Sequence, residues 1–143
     1  MHPLFEKANS LYSIILDAAK EVRQHLVVGL LESIYEDCLE HELKLRNFNV
    51  TRQKRVDIQY KGKVFQHELR LDLVVEDCFV IELKSNENGI RYEHRMQCLS
   101  YLKALNYPLG VVINFGASNQ KTWYQRVILA GAGPEEPTAE NLI

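Results

Sequence analysis

Near position 48 the apolar residues of this chain change period, from the three-to-four spacing of a helix to the two-residue alternation of a strand. Upstream, Leu11, Ile14, Ile15, Ala18, Ala19 and Val22 share one side of a helix spanning roughly 4–26. Gly29 interrupts that pattern. A second helix is expected from about Leu30 to Arg46, with Leu31, Ile34, Cys38 and Leu45 along one stripe and Asn47-Phe48-Asn49 at its exit. Downstream, Val56, Ile58 and Tyr60 alternate with polar neighbours, Lys61-Gly62-Lys63 turns the chain, and a second strand covers about 64–75. The apolar run from Cys78 to Ile81 leads a third strand. Residues 91–106 read as a third helix, stopped by Asn106 and Pro108. Leu109 to Phe115 is a continuous run of buried-strand type, and Trp123 to Leu129 reads as the last strand. The order ααβββαββ places the chain in the α/β (α+β) class, a mixed β-sheet flanked by helices.

The 143 residues suffice for one domain with a real core and are too few for two. A single domain over 1–132 is expected, with 133–143, which begins Gly133-Pro134-Glu135-Glu136-Pro137, as a disordered tail. No apolar run is long enough to cross a bilayer, and the first residues lack a basic stretch followed by an apolar one. A cytoplasmic protein without a membrane partner is therefore expected. Cys38, Cys78 and Cys98 are widely spaced within apolar patterns and read as buried, reduced thiols. A net charge of −2 does not advertise nucleic-acid binding, but positions 44–63 gather Lys44, Arg46, Arg52, Lys54, Arg55, Lys61 and Lys63. That stretch suits either a solvated hairpin surface or a strip that meets phosphates.

Polar residues in the strands after position 70 occupy unusual places. Alternation puts Leu71, Leu73 and Val75 on one face of their strand, and Phe79, Ile81 and Leu83 on one face of the next. If both sets face the core together, Asp72, Val74, Val80, Glu82 and Lys84 share the other side. A two-residue turn at Glu76-Asp77 would set Asp72 opposite Ile81, on the wrong face. A three-residue turn, Glu76-Asp77-Cys78, or a bulge sets Asp72 opposite Glu82, and that geometry is expected here. Two like charges ~4 Å apart repel by about 4 kcal/mol at an effective dielectric near 20. A half-buried pair of this kind calls for a cation, and carboxylate oxygens suit Mg²⁺ or Mn²⁺. On spacing alone, a surface salt bridge between Glu82 and Lys84 explains the same residues.

Asp72, Glu82-Leu83-Lys84 and the helix before them resemble the PD-(D/E)XK nuclease superfamily. The stretch Gly29-Leu30-Leu31-Glu32-Ser33-Ile34-Tyr35 further resembles the motif of its small GxxExxY family. The likeness runs from about Leu26 to Leu129 and includes the helix with His94, Gln97 and Tyr101 and the strand ending Ile113-Asn114-Phe115. Leu71 stands where the motif's proline would be. The resemblance implies a restriction-endonuclease-like core and a metal held by Asp72, Glu82 and the backbone carbonyl of Leu83. Lys84 would position or activate the attacking water, and Glu32 would reach the site as an outer or second-metal acid. Gln97 and Tyr101, one helical turn apart, would orient Lys84 or touch the nucleic-acid backbone.

The implied activity is Mg²⁺-dependent hydrolysis of phosphodiesters in nucleic acid, DNA in preference to RNA, with a homodimer as one way to cut both strands. The alternative is a catalytically inactive module that keeps the nuclease fold and binds nucleic acid or a protein partner. A third is a signalling or defence-associated protein whose substrate is not a polymer.

Overall fold

A computed structural model describes residues 1–67, 69–117 and 123–134. Helices α1 (Phe5–His25) and α2 (Glu32–Leu45) precede strands β1 (Val50–Tyr60), β2 (Lys63–His67), β3 (Leu69–Val75) and β4 (Phe79–Lys84). Helix α3 (Tyr92–Leu105) and strands β5 (Leu109–Asn114) and β6 (Tyr124–Ile128) follow. The strands form one mixed sheet in the order β2-β1-β3-β4-β5-β6, parallel between β4 and β5 and antiparallel elsewhere. The parallel pair requires a crossover, and α3 supplies it.

The strand expected over 64–75 is divided into β2 and β3, both paired with β1. One step back along β1, from Asp57 to Val56, corresponds to three steps along the returning strand, from Gln66 to Leu69. The register therefore shifts by two residues between the two ladders. Most of the tail expected from 133 onward lies outside the described residues.

A core fills each side of the sheet. Leu11, Ile15, Ala18, Ala19 and Val22 of α1 and Tyr35, Leu39 and Leu43 of α2 pack on Leu73, Val75, Phe79, Ile81 and Leu83. On the opposite face, Cys98, Tyr101 and Leu102 of α3 pack on Val56, Val74, Val80, Val112 and Val127. The stripe expected on α2 is corrected by about one residue: Leu31 and Leu45 are 72% and 63% exposed, and Tyr35, Leu39 and Leu43 point inward. Tyr35 sets that rotation. Its ring stacks on Phe115 at 4.6 Å between centroids, and its hydroxyl donates to the carbonyl of Val27.

The three-residue turn is present. Val75 pairs with Phe79, Val74 with Val80 and Leu73 with Ile81, leaving Glu76, Asp77 and Cys78 as the loop. Glu76 and Asp77 adopt φ of 53° and 50°, and the Cys78 N–H closes the turn on the Val75 carbonyl at 3.1 Å. Extending this register by one residue sets Asp72 opposite Glu82.

One part of the facing pattern differs from expectation. Leu73 and Val75 belong to the α1–α2 core, whereas Leu71 belongs to the α3 core. Strict alternation fails because Gln53, between the Arg52–Leu73 and Lys54–Leu71 pairs, has φ of 52°. A left-handed residue interrupts the pleat and turns over the side chains beyond it. Arg52 accordingly reaches Glu36 of α2, while Lys54 reaches the Tyr107 hydroxyl on the other side.

Helix α3 lies close to the sheet at Gly110, where an added Cβ would sit 2.8 Å from Cys98 Sγ and 2.9 Å from the Val80 carbonyl oxygen. We expect Gly110→Ala to destabilise the fold by about 1–3 kcal/mol through overpacking. Urea denaturation checks this, and an unchanged midpoint would contradict the close packing.

Candidate active site

Beyond the Leu73–Ile81 pair, side chains take over the hydrogen bonds between β3 and β4. The Leu83 N–H donates to Asp72 Oδ2 at 2.7 Å, and the Asp72 N–H lies 3.4 Å from Glu82 Oε1. Each acid thus engages the main chain of the opposite strand. The β3–β4 ladder ends here, while β3 stays paired with β1 as far as Leu69 and β4 with β5 as far as Lys84. The acids fill the opening between them.

Burial dominates the electrostatics of this pair. It pushes Asp72 up to about 6, an effect relieved by the Leu83 N–H and then reinforced by the charge of Glu36; Lys84 opposes it and Glu32 adds to it. Glu82 is only 3% exposed, and burial followed by the neighbouring Asp72 charge pushes it up to about 8. The Asp72 N–H and Lys84 draw it back, and Glu32 again opposes them. Lys84 is half-buried and acts on both carboxyls through space, without a direct ion pair to either among the described residues.

The helices close the site from both sides. Glu32 begins α2, and its Oε1 accepts the Ser85 N–H at 3.3 Å; the Ser85 hydroxyl donates to the Leu30 carbonyl at 2.8 Å. These two bonds tie the start of α2 to the end of β4 and hold the exposed Glu32 at the rim. From α3, Gln97 Nε2 donates to the buried Tyr101 hydroxyl at 3.1 Å. Burial and then the Glu82 charge raise the Tyr101 phenol above its ordinary value. His94 accepts the Arg91 N–H on Nδ1 at 3.1 Å, and burial followed by the Lys84 charge lowers its imidazole.

Asp72, Glu82 and Lys84 thus lie together, Tyr101 feels the Glu82 charge from α3 with Gln97 bonded to it, and Glu32 stands at the edge. Among the described residues, no three or more His, Cys, Asp or Glu side chains are arranged to hold an ion together. The acids form a pair with one oxygen apiece on an amide, and among the described residues Asp72 Oδ1 and Glu82 Oε2 are left as hard donors. Two such oxygens fit a divalent cation that keeps most of its waters.

Three contributors escaped the sequence reading. Glu36 is buried beside Asp72 and accepts from Arg52 Nε at 3.1 Å, while Arg52 also pairs with Asp37. Its position four residues after Glu32 was the available signal. Asn114, fully buried, accepts the Asn86 and Gly116 N–H groups on Oδ1 at 3.1 and 3.0 Å and donates to the Asn86 carbonyl at 3.1 Å. It pins the loop after β4, and it was legible as the lone amide in an apolar strand. Ser85 gave no signal, because its role depends on where α2 begins.

Both acids keep protons in the folded chain at pH values where an unfolded chain, with ordinary values of 3.8 and 4.5, has released them. Stability from this pair is therefore greatest at low pH and falls as pH rises through about 6 for Asp72 and about 8 for Glu82. In chelator, the melting temperature should drop between pH 5 and pH 8. Glu82→Gln should flatten most of that slope and stabilise the protein at pH 8 by about 2–4 kcal/mol. Thermal denaturation of both proteins across that range tests it, and a slope unaltered by the substitution would refute the assignment.

No curated protein matches this chain. Among solved structures, the crystal structure of SSO0001 superposes with a TM-score of 0.54 at 20% sequence identity, over 90% of this chain and 62% of that one. This chain therefore spans less than two thirds of SSO0001, and the likeness is one of fold. A profile of the PD-(D/E)XK nuclease superfamily matches residues 9–127, which include both acids, Lys84 and the three helices from Asn9 onward. By that match over most of its length, the chain belongs to the PD-(D/E)XK nuclease superfamily.

Proposed function

We propose that the protein is a metal-dependent nuclease that hydrolyses phosphodiesters in DNA at the opening between β3 and β4. The observation that carries this reading is the buried carboxyl pair, each member engaged by an amide of the neighbouring strand, with the Lys84 ammonium close by. Burying two acids together is unfavourable and adds nothing to the packing of the sheet. A site for a divalent cation gives the pair a use.

In this reading Asp72, Glu82 and the Leu83 carbonyl hold Mg²⁺ or Mn²⁺, and Glu32 serves as an outer acid. When bound, the cation supplies charge for the phosphate oxygens and acidity for a water. Lys84 orients the water for attack on phosphorus and balances charge that builds on the phosphate. A water O–P bond forms as that water gives up a proton to solvent, the P–O3′ bond breaks, and the leaving oxygen takes a proton from solvent. Gln97, through its bond to Tyr101, keeps the α3 side of the opening in place and contacts the nucleic-acid backbone. Asn114 holds the loop 85–90 against Gly116, where a Cβ would meet the Asn86 nitrogen at 2.5 Å. Within the superfamily, Gly29, Glu32 and Tyr35 favour the GxxExxY group. Gly29 takes φ of 100° just before α2, and Tyr35 anchors that helix on Phe115.

Incubation with single-stranded, duplex and branched DNA and with RNA, in Mg²⁺ or Mn²⁺, tests the reading. Wild type should cleave DNA, and chelator should stop it. Lys84→Ala should lose about 100-fold or more in rate while retaining Mn²⁺ binding. Asp72→Ala and Glu82→Ala should lose both rate and metal. Metal binding without cleavage of any of these substrates would return the protein to the class of inactive binding modules.

A further inference from the structure

Beyond Val56 and Leu69, β1 and β2 continue as a two-stranded ribbon, with Asp57–Tyr60 paired to Gln66–Lys63. Its direction follows from the register. β1 and β4 both run antiparallel to β3, so the C-terminal end of β1, the N-terminal end of β3 and the C-terminal end of β4 point the same way. The ribbon therefore projects on the side where β3 and β4 part around the acids. Between the ribbon and the second half of α3 lies an open groove of about 820 Å³.

The chemistry of this groove is mixed in a specific manner. Ile58 and Val64 of the ribbon and Leu105 of α3 give apolar surface, and the two valine and isoleucine side chains are 48% and 37% exposed. Arg55 and Lys103 stand in the lining with Gln59 and Ser100, against Asp57 as its acid among the described residues. Lys61 and Lys63 extend the positive charge to the ribbon's tip, lying over the rings of Tyr60 and Phe65 at 5.5 and 4.9 Å. Tyr60 is itself 62% exposed. Ser100 of the lining directly precedes Tyr101, the α3 residue whose phenol feels the Glu82 charge, so one helix serves both the groove and the candidate active site.

We propose that this groove seats a single-stranded nucleic-acid segment that continues from the bond to be cut, which makes strands with unpaired bases the substrate class. The inference rests on the nuclease reading above for its direction. A duplex offers phosphates but hides its base faces, whereas a single strand offers both phosphates and bare apolar rings. Cations beside an accessible apolar floor match the second. The same cations without that floor would suit any polyanion.

Binding in chelator, where no cleavage occurs, isolates the groove from the chemistry. Fluorescence anisotropy with a labelled oligothymidylate and with a duplex of equal length gives the readout. Wild type should bind the single strand at least about tenfold more tightly than the duplex at moderate salt. Lys103→Glu should weaken single-strand binding about tenfold and make its salt dependence shallower by about one ion. Ile58→Ser with Val64→Ser, both at exposed positions, should weaken it while leaving the salt slope in place, because they remove the floor and no charge. Equal affinity for strand and duplex, or indifference to all three changes, would overturn the proposal. So would a loss confined to Lys103→Glu, which marks a polyanion surface only. Groove-dependent binding without cleavage in any metal sustains the groove and sinks the nuclease reading; cleavage that ignores the groove does the reverse.

Discussion

Two carboxyl groups occupy the gap where β3 and β4 separate, and an amide of the opposite strand meets each of them. Several distant features serve this contact. The turn 76–78 must hold an odd number of residues, because an even loop would send one acid to the far side of the sheet. Strand β1 stays paired with β3 as far as Leu69 and β5 with β4 as far as Lys84, so the outer strands hold both sides of the gap. The gap opens where β3 is still paired with β1 and β4 is still paired with β5.

The separation also explains how the two helical layers reach one place. In a closed sheet, α2 and α3 sit on opposite faces and cannot share a ligand. Where the strands part, the Glu36 charge from α2 acts on Asp72 and the Tyr101 phenol from α3 feels Glu82. Glu32 approaches from the α2 terminus because Ser85, the residue after β4, bonds both its carboxylate and the Leu30 carbonyl. Charged groups in this fold gather at the seam, while the cores on either side are apolar.

Element types and the position of the acid pair were legible because they depend on local rules. Alternation in 73–75 and 79–84, together with the parity of the turn, was enough to set Asp72 opposite Glu82. What failed depended on contacts between elements. Leu71 changes face because Gln53, on another strand, is left-handed, and nothing around Leu71 announces it. The α2 stripe was misread because that helix carries apolar residues on two adjacent stripes, and Phe115, distant in sequence, selects the one bearing Tyr35. Glu36 was overlooked since a charged residue within a helix ordinarily faces water. Its burial depends on Arg52 from the neighbouring strand.

The burial that raises both carboxyls has a consequence for any cation they would hold. A proton and a divalent ion compete for the same oxygens, and near neutral pH Glu82 still favours the proton. Binding of a metal there must release protons, so affinity rises with pH until both acids are ionised. Lys84 complicates the competition: its charge lowers both carboxyls and so favours ionisation, yet it also repels the incoming cation. The two effects differ in range of influence over pH. Assistance to ionisation matters only below about 8, where Glu82 retains its proton, whereas repulsion persists at any pH where the ammonium is charged. A lysine placed here is therefore a poor device for tight metal binding at alkaline pH. Its position makes better sense if a phosphate arrives as well, since an anion between the ammonium and the cation turns that repulsion into two attractions.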